Sequence, residues 1–345
     1  MNNTFRIGDV EISPGSRQTV DLPVAMLHTH TPLTMPVHVI NGKREGPRLF
    51  VSAAVHGDEI NGVEIIRRLL DRADIRNIHG TLIAIPIVNL FGFLQHTRYL
   101  PDRRDLNRSF PGSEKGSLAA RLANILMTEI VTQCTHGIDL HTAAVHRTNL
   151  PQIRINLDDP ESLRLAKAFG TPVIIHADVR DGSLREASVA QNIPMLLYEA
   201  GEALRFDEVS IRAGLRGIVN VLRELEMLPK RTRRRQPTGT VAKSTSWVRA
   251  PESGVLRFPV ALGAQVTEDS VLGLVSDPFG GRDTEILAPG SGIVIGKTVI
   301  PLVNEGEAMF NIARFDDVEG AADKVKDFQE REEQAIDASE NTLNS

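Results

Sequence analysis

The chain of 345 residues has a single cysteine, Cys134, so no disulfide can form within it, and such sparing use fits a reducing compartment. "MTEIVTQCTHGI" places that residue near the end of a helical pattern, where packing rather than nucleophilic chemistry is the expected role. No apolar run approaches the ~20 residues needed to cross a bilayer. The N-terminal "MNNTFRIGDVEISPGSRQTV" lacks a positive segment followed by an apolar core, so no secretory signal is expected. These absences predict a cytoplasmic protein without membrane contact. Positive charge is not in excess either: the formal net charge is −5, which gives no broad attraction to nucleic acid. The one basic run, "KRTRRR" at 230–235, adjoins "QPTG" and reads as a solvated linker at 230–238.

What the sequence does contain is apolar material, 41% of residues, in a length sufficient for two or more domains. From residue 47 short β-rich runs alternate with longer runs of helical period, which predicts an α/β layer structure. The strand candidates are "RLFVSAAV" (48–55), "TLIAIPIVN" (81–89), "GIDLHT" (137–142), "PVIIHA" (172–177) and "PMLLYEAG" (194–201). Several are apolar throughout, as strands covered on both faces are. "GVEIIRRLLDRA", "SLAARLANILMTEIVTQC", "ESLRLAKAF" and "DEVSIRAGLRGIVNVLREL" carry apolar residues at spacings of three and four and predict helices.

Beyond the linker the texture changes, and the division expected is 1–229, 230–238, 239–315 and 316–345. Residues 239–315 are rich in Gly, Val and Pro, with short β-runs and an internal echo, "APESGV" (250–255) and "APGSGI" (288–293). Two similar β-units would pack as a small all-β sandwich resembling the biotinyl/lipoyl type. No lysine stands between Lys243 and Lys297, which argues against a carrier role and for a scaffold or active-site lid. The acidic tail, 316–345, predicts one helix over "AADKVKDFQEREEQAI" and then disorder.

The chemistry begins at "SAAVHGDEING" (52–62), where a strand gives way to a turn that carries His56 and Glu59. Open α/β sheets place ligands at the carboxyl ends of their strands. Taken alone, H-x-x-E is equally an acid at a helix start beside an ordinary histidine. His141 in "GIDLHTA" and Glu199 in "PMLLYEAG" also end apolar strands, so several strands deliver ligand-type residues to one sheet edge. Two imidazoles and a carboxylate leave a tetrahedral zinc one open position. Ile60 follows Glu59, so the H-E-x-x-H motif and its inverse are both excluded.

"HGDE" (56–59), "DLNRSFPG" (105–112), "DLHT" (139–142) and "YEAG" (198–201), in that order, resemble the motifs of the succinylglutamate desuccinylase/aspartoacylase family, relatives of the zinc carboxypeptidases. The resemblance covers roughly residues 45–315. It implies a three-layer α/β/α fold of the zinc-carboxypeptidase type, with a mixed, mostly parallel sheet, plus the small β-domain. It implies one zinc per chain on His56, Glu59 and His141, Glu199 as general base, and Asn107 with Arg108 holding a substrate carboxylate. An upstream arginine, Arg98, Arg103 or Arg104, would stabilise the oxyanion, with Arg98 favoured by its place in "TRYLPDRRDLNR". Asp58, the rival of Glu59, is assigned to helix capping or to orienting a ligating imidazole, and Asp139 to the latter.

His146, Arg147 and Asn149 follow the third ligand on an expected pocket loop, and Arg154 would make a second carboxylate contact. His28 and His30 are expected on an exposed strand, and His79, His96, His136 and His176 in structural roles. The implied activity is hydrolysis of the amide of a small N-acyl amino acid. The alternatives are a carboxypeptidase trimming acidic residues from a peptide, and a binding module without turnover. A homodimer is implied by the resemblance.

Overall fold

The chain opens with two hairpins, β1 (Phe5–Ile7) with β2 (Val10–Ile12), and β3 (Ser16–Met26) with β4 (Pro32–Asn41). An alternation follows: β5 (Arg44–Ala53), α1 (Asn61–Asp71), β6 (His79–Ile85), α2 (Leu90–Gln95), α3 (Leu118–Glu129), β7 (His136–Ala143), β8 (Arg147–Ile155), α4 (Pro160–Phe169), β9 (Val173–His176), α5 (Leu184–Ala190), β10 (Met195–Glu202) and α6 (Glu208–Glu224). The computed structural model describes residues 2–178, 180–230 and 239–343, with side chains to 338. The fold is mixed α/β. Strands β6, β5, β7 and β10 lie side by side in parallel, β8 joins β10 antiparallel, and β4 and β3 complete the other flank antiparallel.

Alternation along the central strands feeds two separate cores. In β5, Leu49, Val51 and Ala53 face the helices α1, α4 and α6, whereas Phe50 faces α3 and the β3–β4 hairpin. Each fully buried Leu, Ile, Val or Phe contributes about 1.5–3 kcal/mol relative to exposure, which is why these strands are apolar on both faces. Helix ends are marked locally: Asp159 caps α4 ahead of Pro160, Asp207 caps α6, and Ser117 caps α3. Cys134 is buried behind α3 and donates to the Ile130 carbonyl; burial pushes its thiol up to about 12, so it stays inert.

The C-terminal part is strands only until residue 314: β11 (Thr240–Ala242), β12 (Ser244–Arg249), β13 (Gly254–Arg257), β14 (Gln265–Val266), β15 (Val271–Ser276), β16 (Asp283–Leu287), β17 (Gly292–Thr298), β18 (Leu302–Val303) and β19 (Ala308–Arg314). They do not stand apart from the central sheet. β17 pairs with β8 through Gly296↔Asn149, Lys297↔Thr148 and Thr298↔Arg147, and β11 pairs with β9, so β12, β14, β17 and β19 extend the large sheet. β16, β15, β13 and β18 form a second, antiparallel sheet that shares an apolar core with this extension. The two sequence echoes run into β13 and β17, one in each sheet.

Three expectations are corrected. The tail helix, α7 (Val318–Leu343), runs beyond residue 336, where disorder was expected, and Glu332 on it is buried against Arg216 of α6 at 2.6 Å. His28 and His30 sit in the turn between β3 and β4, not on a strand. Arg147 and Asn149, expected on a pocket loop, lie on strand β8. The basic run lies, from residue 231 on, outside the described residues. Among the described residues no helix is long and apolar enough to cross a membrane.

Candidate metal centre and the cavity beside it

The turn that carries His56 and Glu59 is built to be tight. Glu59 N–H donates to the His56 carbonyl at 3.2 Å, and Gly57 packs so closely on Gly92 that an added Cβ would lie 2.0 Å from its backbone. Only glycine fits there. Ala54, just upstream, holds φ at +51°, an uncommon conformation for a residue with a side chain, so the backbone is strained where the strand turns toward the site. On β7, alternation sends Ile138 and Leu140 into the helical core and Asp139 and His141 to the opposite face. Glu199 of β10 is in register with His141.

His56, Glu59 and His141 offer ligand atoms that all lie within 4.8 Å of one another, and all three residues are buried. Both imidazoles turn Nδ1 toward Glu59, at 2.7 Å from His56 to Oε1 and 2.8 Å from His141 to Oε2. Each Nε2 meets a different carboxylate: His56 meets Asp105 at 3.1 Å, and His141 meets Asp139 at 2.6 Å. An acceptor at Nε2 makes that nitrogen the protonated one, which leaves both Nδ1 lone pairs facing carboxylate oxygens. Such an arrangement is repulsive unless a cation or added protons lie between. Carboxylate-backed imidazoles around one acid are the donor set of a divalent zinc site, so these residues fit that ion.

The electrostatics agree. Burial opposes charge at each group, yet His56 and His141 outweigh it and hold Glu59 well below the ordinary carboxylate range. Burial is likewise outweighed at Asp105, by His56 and Arg98. The same acids push His56 up, and Asp139 with Glu59 pushes His141 further. Ser52 donates to the other oxygen of Asp139 at 2.7 Å and so fixes that carboxylate.

Asp105 was not singled out from the sequence, although it lies in "DLNRSFPG". It caps the short 3-10 turn Leu106–Arg108 by accepting from Asn107 N–H at 2.8 Å, and it binds His56 and Arg98 as well. One carboxylate therefore ties this motif to the metal-type cluster. Asp58 does neither job expected of it: α1 has no side-chain cap, and Asp58 Oδ1 is buried with no partner. Burial and the adjacent Glu59 push its carboxyl up.

The cluster forms one side of a cavity of about 510 Å³, within the size range of small-molecule sites. Arg98, Asn107, Arg108 and Glu199 line it; Arg103 and Arg104 do not. Arg98 reaches Glu59 at 3.3 Å and Asp105 at 2.9 Å. Asn107 accepts from Leu184 N–H at 2.9 Å. Glu199 takes Asn149 Nδ2 on Oε2 at 2.8 Å. Arg147, Asn149 and Arg154 line the cavity from β8, whereas His146 is exposed outside it. His176, expected to be structural, also lines it, as do Arg180, Arg185, Thr245 and Trp247. The sequence offered little signal for these last residues, because α5 was not foreseen and the join of β12 to the large sheet is a tertiary event.

The family model described as succinylglutamate desuccinylase/aspartoacylase catalytic domain matches residues 45–225. The N-alpha-acetyl-L-2,4-diaminobutyric acid deacetylase of Halomonas elongata is 28% identical over 292 residues, 81% of this chain and 85% of that protein. The crystal structure of a succinylglutamate desuccinylase/aspartoacylase from Rhodobacter sphaeroides superimposes with a TM-score of 0.76 at 26% identity, covering 87% of this chain and 96% of that one. The product-bound ectoine utilization protein EutE (DoeB) from Ruegeria pomeroyi gives 0.77 at 21% identity, covering 86% and 95%, a likeness of fold.

Proposed function

This chain belongs to the succinylglutamate desuccinylase/aspartoacylase family, and from that premise we propose that it is a zinc-dependent amidohydrolase that removes the acyl group from a small N-acyl amino acid. The observation that carries the reading is the convergence of two carboxylate-backed imidazoles on one buried glutamate, at the side of a cavity that also holds Glu199 and Arg108. The named activity of the Halomonas elongata relative supports the reaction class. His56, Glu59 and His141 would hold one zinc. When bound, zinc supplies Lewis acidity, acidifying water toward a pKa of ~7 and polarising the scissile carbonyl.

The chain's own groups do the rest. Glu199 keeps Oε1 for proton transfer, because Oε2 is engaged by Asn149. It takes the proton of the attacking water and delivers it to the departing nitrogen as the C–N bond breaks, so the products are a carboxylic acid and a free amine. Arg108 anchors a substrate carboxylate through its planar guanidinium, with Asn107 setting the turn that presents it. Arg98, at the edge of the cluster, faces the developing oxyanion. Residues 239–315 act as a β-rich unit that walls the cavity through Thr245 and Trp247.

A screen of N-acetyl and N-succinyl amino acids beside glutamate-tailed peptides, with metal analysis, tests this. The expected result is about one zinc per chain, hydrolysis abolished by chelator and restored by zinc, and a loss of at least ~10²-fold in kcat for Glu199→Gln with metal retained. Activity indifferent to chelator would overturn the mechanism.

A further inference from the structure

Glu199 stands where two parts of the chain meet. Its strand, β10, pairs with β7 on one side and β8 on the other, and β8 in turn pairs with β17 of the C-terminal strands. Gln152 lies opposite Glu199 and Asn149 opposite Gly201, so β8 advances three residues where β10 advances two. Strict alternation would send Asn149 to the face opposite that of Gln152 and Glu199. The bulge returns it to the side of Glu199, as bulges beside active sites re-aim a side chain.

There Asn149 is buried, and its Nδ2 donates to Glu199 Oε2 at 2.8 Å. The other carboxylate oxygen has a competitor. Arg154 Nε is buried without a hydrogen-bond partner and stands 3.7 Å from Oε1, too far to donate to it. Bonds between guanidinium and carboxylate are short and strong, so a carboxylate free to rotate would close that gap. The Asn149 amide opposes the rotation by fixing Oε2.

What confines Asn149 comes from the C-terminal strands. Gly296 of β17 lies opposite it in the ladder, and a Cβ added there would sit 2.8 Å from Asn149 Oδ1. The next neighbour, Asn311 Cβ at 3.4 Å, is at ordinary contact distance, and the φ of Gly296 is outside the left-handed region. Alanine at this position therefore strains no backbone, but it displaces the amide. Beside this contact the join is pinned: Thr298 Oγ1 and Val299 N–H both donate to the His146 carbonyl, at 3.2 and 2.9 Å.

We propose that Asn149 is a positioning residue for Glu199 and that Gly296 keeps it in place: the amide fixes Oε2, holds Oε1 away from Arg154 and leaves that oxygen to receive the proton of the attacking water. This role rests on the deacylase reading, with Glu199 as general base. It gives the C-terminal strands a part in the chemistry beyond walling the cavity, because the residue that secures the amide belongs to them.

The test is a double-mutant cycle of Asn149→Ala and Gly296→Ala, assayed with whichever N-acetyl or N-succinyl amino acid the wild type hydrolyses. Each single variant should lose about 10–100-fold in kcat, with KM within about twofold and zinc content unchanged. The double variant should be no slower than Asn149→Ala, because Gly296 acts through the amide alone. NMR of protein carrying isotope-labelled asparagine gives a readout independent of turnover: the side-chain amide signal that vanishes in Asn149→Ala should move in Gly296→Ala and in Glu199→Gln. A signal unmoved in either variant, additive losses in the cycle, or a raised KM with kcat kept overturns the proposal. If Gly296→Ala does not fold, a loss confined to kcat in Asn149→Ala and the response of the signal to Glu199→Gln decide the role of Asn149. No hydrolysis by the wild type, with the signal still moving in both variants, retains the hold on Glu199 and removes the deacylase reading.

Discussion

Asp105 and Asp139 do work at the scale of single atoms that neither His56 nor His141 can do alone. Each accepts from an Nε2, and each therefore decides which nitrogen of its imidazole carries the lone pair toward Glu59. Asp139→Asn keeps the shape but offers an amide that need not accept, so zinc affinity should fall about 10–100-fold, with kcat per bound zinc changed much less. Asp105→Asn should lose more, because that carboxylate also holds Arg98 and the Asn107 turn. Competition against a chromogenic chelator measures both. Equal affinity in Asp139→Asn and the wild type would show that His141 is held in place without that carboxylate.

The elements that carry the site are braced from behind. Helix α1, which starts directly after Glu59, is tied to α6 by Glu64, Arg68 and Glu208, with Arg68 donating to both acids at 2.7 Å. Hydrogen bonds from Arg67 and then Arg68 bring the Glu64 carboxyl down to about 2 from 4.5. A depressed carboxyl stabilises the fold above its unfolded value, and that contribution disappears as pH falls from about 4.5 toward about 2. Arg67 is largely exposed, so screening limits the effect to under about 1 kcal/mol. Glu64→Gln should thus lower stability at pH 7 by that order, and the difference from wild type should shrink at pH 3. Urea unfolding at the two pH values reads this directly; a gap that stays constant would mean the carboxylate charge is not what braces α1.

For the molecule as a whole, the join between β17 and β8 ties residues 239–315 to the central sheet, a link that a change in sequence texture does not reveal. Gly296 lies against Asn149, the residue that holds Glu199, so residues 239–315 are laid directly onto a strand of the site. A chain ended at residue 230 would expose the β8 edge and lose Thr245 and Trp247 from the cavity wall. Such a fragment should aggregate or unfold without cooperativity, whereas the full chain should melt in one transition. Differential scanning calorimetry decides between this and two separable domains, and a cooperatively folding fragment would favour the latter.

Much of the fold was legible from periodicity, because apolar alternation and 3.6-residue spacing are local. The five expected strands and four expected helices are present within a few residues. His56, Glu59, His141 and Glu199 were legible for a related reason: each ends or follows an apolar strand, and strand ends gather at one sheet edge. Local pattern carries no information about partners brought together by packing. Only the tertiary structure decided that Asp105 backs His56, that Asp58 Oδ1 is buried without a hydrogen-bond partner, and that Arg147 and Arg154 sit on a strand. The same holds for the placement of Arg180, Arg185 and Trp247 around one cavity. The sequence by itself determined which elements form and which residue types reach the sheet edge; long-range strand pairing and burial determined which of those residues face one another.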